Sequence, residues 1–306
     1  MEISVDKNCN LKHRINRIKE RDAQFLTYNS SSEFNIINED LDQVLDISID
    51  NFIDIDFIPE KKQILYSTEE LVQIIDYNKN VVDTIIVKNA KIYIQNDYLW
   101  LASMVNDDYI EVSLYNILDF SKITSLKIED EDYFDASIHL YPAYENNLIL
   151  WIGQGQDGFW NVLLKLKDNK LEAQIVGKDF VFPIVYLDEN KYIEVDEFNL
   201  NVISESPIKL IKNLDLDSEK YQFTSYYDFL NKNNILFLSE NGLFIYNTLY
   251  EETEDVKVIN PKTDELLNST DFNYFEIINN TILLCYDNSK EKGILKIAVN
   301  SVLKEQ

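Results

Sequence analysis

Carboxylates are the first candidates for chemistry in this sequence. Asp and Glu number 54 of 306 residues against 28 Lys and Arg, a net charge of −26. Asp54 and Asp56 stand two apart in Phe52-Ile53-Asp54-Ile55-Asp56-Phe57-Ile58. On a strand, that spacing puts both on one face, and such a pair suits acid–base work or a bound Ca²⁺. So acidic a chain produces pairs of this kind by chance. Asp215-Leu216-Asp217 lacks the glycine and the remaining ligands of an EF-hand loop. The two histidines, His13 and His139, have no second histidine at zinc spacing, and no G-x-S-x-G elbow exists. Gly153-Gln154-Gly155-Gln156-Asp157-Gly158 fits G-x-G-x-x-G. A dinucleotide site needs a helix after that motif to receive the pyrophosphate. Phe159-Trp160-Asn161-Val162-Leu163-Leu164 reads as a strand instead, so the glycines are assigned to a strand–strand connection with positive φ. The chain is expected not to be an enzyme, with no catalytic residue, metal or cofactor.

What remains is recognition by charge. An acidic surface repels phosphate backbones and anionic membranes and attracts basic proteins, so neither nucleic acid nor membrane is an expected partner. The only arginines, Arg14, Arg17 and Arg21, cluster with Lys12 and Lys19 and read as a basic edge. The N-terminal Met-Glu-Ile-Ser-Val-Asp has no apolar h-region, and no run approaches a membrane span. Two cysteines, Cys9 and Cys285, make no disulfide framework. A cytoplasmic setting is expected, with Cys285 a small buried hydrophobe.

The elements that must position these groups are short strands. The sequence is 45% hydrophobic and 12% aromatic, a palette suited to pleated, half-buried surfaces. One element, a strand that ends in a polar turn, recurs from positions 33, 71, 109, 159, 198, 242 and 293. The spacing matches the ~40–50 residues of a propeller blade. Each copy follows another apolar run, such as Tyr98-Leu99-Trp100-Leu101 or Ile282-Leu283-Leu284. The reading is a single all-β domain over 1–306, a seven-bladed β-propeller of four-stranded antiparallel blades. Six or eight blades, a sandwich pair and a solenoid are the alternatives. The orphan segment Glu2-Ile3-Ser4-Val5 is expected to close the last blade. This architecture resembles WD-repeat propellers, without their Gly-His and Trp-Asp signatures.

Meander topology sorts the loops. Connections from second to third strand, and from one blade to the next, emerge at one end. They carry Asp107, Asp108, Glu129, Asp130, Glu131, Asp132, Asp157, Asp215, Asp217 and Glu240, with Trp160 nearby as an aromatic anchor. The turns at the other end, including Glu60-Lys61-Lys62 and Lys167-Asp168-Asn169-Lys170, are nearer to balance. An acidic propeller with so few motifs resembles, in style, bacterial immunity proteins that neutralise polymorphic toxins. The resemblance implies a chain that is monomeric when free. Its partner would be a basic secreted toxin or effector, bound over its active site at the residues just named. A scaffold in a constitutive complex is the alternative, and a hydrolase or lyase with its site at Asp54 and Asp56 a further one.

Overall fold

The recurring third strands begin at Glu33, Val72, Tyr109, Phe159, Asn199, Gly242 and Lys292, each within a residue of the expected start. Apolar periodicity locates them because each strand of an antiparallel blade needs buried residues on its packed face. The computed structural model describes residues 2–29, 33–105, 108–129, 136–154, 158–178, 180, 182–196, 198–205, 208–259, 266–288 and 291–303.

In chain order the strands are β1 (Glu2–Ser4), β2 (Lys7–Leu11), β3 (Arg17–Arg21), β4 (Gln24–Tyr28), β5 (Glu33–Asn38) and β6 (Gln43–Ser48). Then follow β7 (Asp54–Ile58), β8 (Gln63–Ser67), β9 (Val72–Asp76), β10 (Val81–Ile85), β11 (Lys91–Gln95), β12 (Tyr98–Val105), β13 (Tyr109–Asn116) and β14 (Lys122–Glu129). Next come β15 (Ser137–Pro142), β16 (Leu148–Gly153), β17 (Phe159–Lys167), β18 (Lys170–Lys178), β19 (Val185–Asp188), β20 (Lys191–Val195), β21 (Asn199–Glu205) and β22 (Ile208–Asp215). The last are β23 (Tyr226–Asn231), β24 (Asn234–Ser239), β25 (Gly242–Asn247), β26 (Glu252–Ile259), β27 (Phe272–Ile278), β28 (Thr281–Asp287) and β29 (Lys292–Ala298), before a short helix, α1 (Val299–Val302). The fold is all-β, a β-propeller of seven blades with four antiparallel strands each.

Two compact units are present. One, Ile49–Glu197, contains the blades β7–β10, β11–β14 and β15–β18; the other, Met1–Ser48 with Phe198–Gln306, contains β3–β6, β23–β26 and β27–β29. The remaining blade has the order β19-β20-β21-β22. Within the second of these units, closure differs from expectation. Lys7–Leu11 pairs antiparallel with β29 and is the fourth strand of the last blade. Glu2–Ser4 instead adds to β26 as a parallel fifth strand, with Ile3 opposite Val258. Ile3 and Val5 are buried in the core shared by β23–β26 and β27–β29, so their apolar character serves packing. The more polar Lys-Asn-Cys-Asn-Leu segment makes the edge strand.

The same turn chemistry repeats where third strands end. The side-chain oxygens of Asn38, Asp76, Asn116 and Asn247 accept backbone N–H bonds of 2.7–3.0 Å from Asp42, Asn78, Leu118 and Leu249 respectively. Short Asx side chains favour such turns. They hold Leu41, Lys79, Phe120 and Glu251 at φ of 59°, 67°, 56° and 58°, a region that an L-residue enters at a cost of about 1–2 kcal/mol. Long polar side chains join neighbouring blades. Lys61 Nζ donates to the carbonyls of Ile117 and Leu118 at 2.8 and 2.7 Å and lies 5.2 Å from the Phe120 ring centroid.

Apolar layers fill the spaces between blades. β11–β14 and β15–β18 enclose the fully buried Trp100 with Ile110, Val112, Leu150 and Leu164. Cys285 is buried beside Leu283 and Ile294, as expected of a small hydrophobe. Gly158 has the positive φ expected, 127°. Gly153 serves differently: a Cβ there would lie 2.4 Å from the Trp151 ring, so its lack of a side chain makes room for the indole. Gly155 lies outside the described residues.

Candidate functional site

The acidic loop residues divide between the two units. In the unit Ile49–Glu197, Asp108 is exposed in the β12–β13 turn and Glu129 at the end of β14. Glu129 stands opposite Tyr109 in register, and Lys127 covers the Tyr109 ring at 4.1 Å. Trp160, on β17, is half-buried and packs against the core between β11–β14 and β15–β18, so only part of its ring is offered outward. In the other unit Asp215, Asp217 and Glu240 are exposed. Asp215 turns its chain by accepting the Asp217 N–H at 2.9 Å. Asp107, Asp130, Glu131, Asp132 and Asp157 lie outside the described residues.

Asp54 and Asp56 do share a face of β7, the first strand of its blade. Their carboxylates are used up by backbone. Asp54 accepts from Ile55 N–H at 2.9 Å and from Ile92 N–H at 2.8 Å. Asp56, fully buried, accepts from Phe57 N–H at 2.9 Å and from Ile94 N–H at 3.0 Å. The two acids bridge β7 to β11, the first strand of the next blade, by satisfying its edge N–H groups. They form a structural bracket. His139, on the first strand β15, stacks on Trp151 at 5.7 Å and meets Tyr141 edge-on at 6.3 Å.

A different pair of acids lies on adjoining first strands in the other unit. Asp228 lies on β23 and Glu276 on β27, again the first strands of adjacent blades. Asp228 accepts the Phe229 N–H at 2.6 Å, the same next-residue bond that Asp54 and Asp56 make. The Tyr274 hydroxyl donates to Glu276, and the Tyr274 ring meets Tyr226 edge-on at 4.8 Å. Both acids are partly buried. Burial pushes the Asp228 carboxyl up to about 7, opposed by the Phe229 N–H. Burial likewise lifts Glu276 to about 7; the Tyr274 hydroxyl bond and Arg17 oppose this and Asp228 reinforces it. The Tyr274 phenol and Cys285 thiol are pushed well up by burial, with the Glu276 charge adding to both. Among the described residues no three His, Cys, Asp or Glu side chains are placed to hold a metal ion.

A signal for the Asp228–Glu276 pair is present in the sequence. Tyr227-Asp228-Phe229-Leu230 and Phe275-Glu276-Ile277-Ile278 each set one acid in an apolar run, as does Ile55-Asp56-Phe57-Ile58. An acid in such a run faces desolvation and needs a proton or a donor.

No protein-family model matches the sequence, and no curated protein is significantly similar to it. Solved structures share the fold. BamB from Moraxella catarrhalis superposes with a TM-score of 0.60 at 8% identity, over 96% of this chain and 97% of that one. The Pan2 WD40 domain of Neurospora crassa gives 0.58 at 9% identity over 96% and 90%. Hsv2 of Kluyveromyces lactis gives 0.58 at 11% identity over 92% and 90%. At these identities the likeness is one of fold.

Proposed function

We propose that this chain is an acidic, non-catalytic propeller that binds a basic protein. In its finer form it is a cytoplasmic immunity protein that neutralises a basic bacterial toxin by covering its active site. Propellers are typical protein-interaction scaffolds, and a scaffold role in a constitutive complex would use the same surface. One observation carries the reading. Asp108 and Glu129 in one unit, and Asp215, Asp217 and Glu240 in the other, are exposed and make no ion pair with a described residue. Unpaired like charges raise association rates for a basic partner and make them fall with salt.

The test is affinity capture from the source cells, run beside an Asp215→Lys/Asp217→Lys/Glu240→Lys variant, followed by co-expression with the captured protein. A basic partner is expected that is lost on charge reversal and whose toxicity the wild-type chain suppresses. Partners without basic character, or capture unchanged by the reversal, refute the binding proposal. A basic partner that is harmless supports the scaffold over the immunity protein. Acid–base catalysis is a second reading, favoured by the raised, partly buried carboxyls of Asp228 and Glu276 on adjoining first strands.

A further inference from the structure

We infer that the outer edge of β26, from Glu252 to Val256, is a strand-addition site for an extended segment of a protein partner with basic residues two apart. The edge uses none of the loop acids of the proposed function, so either surface can fail without the other. The blade β23–β26 is complete with four strands, yet β1 adds to its outer side as a fifth. Every second residue of an outermost strand turns its N–H and C=O away from the sheet, and such an open row is a template for another chain. β1 covers Lys257, Val258 and Ile259. Over Glu252–Val256 no strand among the described residues pairs on that side. Other outer strands guard their edges with lysine: Lys122 and Lys127 on β14, Lys170 and Lys178 on β18, Lys209 and Lys212 on β22. Glu252–Val256 contains none.

The strand already seated on this edge shows what the next one needs. Glu252, Glu254, Val256 and Val258 alternate onto one face of β26. Val256 and Val258 lie in the core that also takes Ile3, and Ile3 stands opposite Val258. On this face the added strand therefore sets an apolar side chain beside an apolar one. The same register carried upstream sets its side chains beside Glu254 and Glu252, both exposed. Opposite charges on adjoining strands stabilise and like charges destabilise, so lysine or arginine at alternate positions fits. On the other face Asp255 already pairs with Lys220 at 2.6 Å. Leu249 and Tyr250, 60% and 61% exposed in the turn before β26, offer apolar contact where such a segment would enter, and tyrosine is a favoured interface residue. Main-chain pairing then supplies affinity, and the alternating side chains supply choice.

The probe is a synthetic peptide alternating lysine with valine, added to the full chain. Its twin has the same side chains on methylated backbone nitrogens, which keeps the charge and removes the donors for strand pairing. The first should bind and slow hydrogen exchange in β26, and the twin should do neither. Glu252→Lys/Glu254→Lys should weaken binding about tenfold or more, because two favourable cross-strand pairs become repulsive. Asp215→Lys/Asp217→Lys, matched in charge, should weaken it far less. Should the β26 variant fail to fold, the two peptides on the wild-type chain decide alone. Equal binding of the peptides, equal loss in the two variants, or protection that spares β26 overturns the inference. So does self-association of the chain alone that Glu252→Lys/Glu254→Lys abolishes, which would give the edge to a second copy.

Discussion

Two inter-blade contacts start from one sequence pattern and end as opposites. Ile55-Asp56-Phe57-Ile58 and Tyr227-Asp228-Phe229-Leu230 each place an acid on a first strand, and each acid accepts the N–H of the following phenylalanine. Beyond that bond they diverge. Asp56 meets the Ile94 N–H of β11, and Asp54 beside it meets Ile92. Asp228 receives no N–H from β27 among the described residues, and β27 carries Glu276, whose carboxyl burial and the Asp228 charge push up. The free energy of a buried carboxyl is thus decided by what the neighbouring blade presents to it. An N–H from the neighbouring strand makes the acid a strut, and burial without one makes it a titrating group.

The largest expected effect breaks the strut. Asp56→Ala leaves the Phe57 and Ile94 N–H groups buried without an acceptor and should cost roughly 3 kcal/mol, read as a lowered denaturant midpoint. A loss within experimental error would mean that the bracket is ornamental. Next is the opposite sign at the other contact. Asp228→Asn should be neutral near pH 4 and stabilising near pH 8. The sign follows from linkage. An acid whose folded pKa is raised contributes stability that is present below its unfolded pKa and lost as pH rises through the folded value, here about 7. Paired melting curves of variant and wild type isolate this from other carboxyls, such as Glu111, which the Lys122 hydrogen bond shifts downward. A variant equally destabilised at both pH values would place Asp228 with Asp56.

Smaller effects sharpen the same contrast between filled and unfilled acceptors. Lys61→Met removes the donor to the Ile117 and Leu118 carbonyls and should cost about 1 kcal/mol, seen as faster amide exchange in the β13–β14 turn. Smallest is a gain. Ala23 completes a two-residue turn at φ 59°, a geometry that Asn280 adopts at φ 62° in the last blade. Ala23→Gly should stabilise by roughly 0.5 kcal/mol, strain relief exceeding the added chain entropy; a lowered melting temperature would show that Ala23 carries no strain.

Strand-level organisation was legible because burial imposes a period: all seven third strands fall where apolar runs meet polar turns. The closing strand lies a few residues beyond the segment expected, because apolar alternation marks a strand only where its side chains are covered. Glu2-Ile3-Ser4-Val5 has a strand-like alternation, while Lys7–Leu11 is an edge strand whose side chains are only partly covered and so carries little apolar signal. The acids were harder. With 54 of them, pairing along the chain at Asp54 and Asp56 stands out, but pairing across blades does not. Asp228 and Glu276 are neighbours only because two blades bring their first strands together. Trp160, read as an anchor, is half-buried, since whether an aromatic at a loop margin turns inward depends on the adjoining blade.

The pairing of Lys7 with Lys296 and Leu11 with Lys292 has a consequence for how the molecule is made. On the ribosome, the strand needed to finish the last blade emerges long before its partner β29. Until β29 has been made, Lys7–Leu11 has nowhere to dock and the outer edge of β29 does not yet exist. Contacts so distant along the chain form late. In that interval the nascent polypeptide carries an unmated strand that a chaperone or a neighbouring nascent chain can reach.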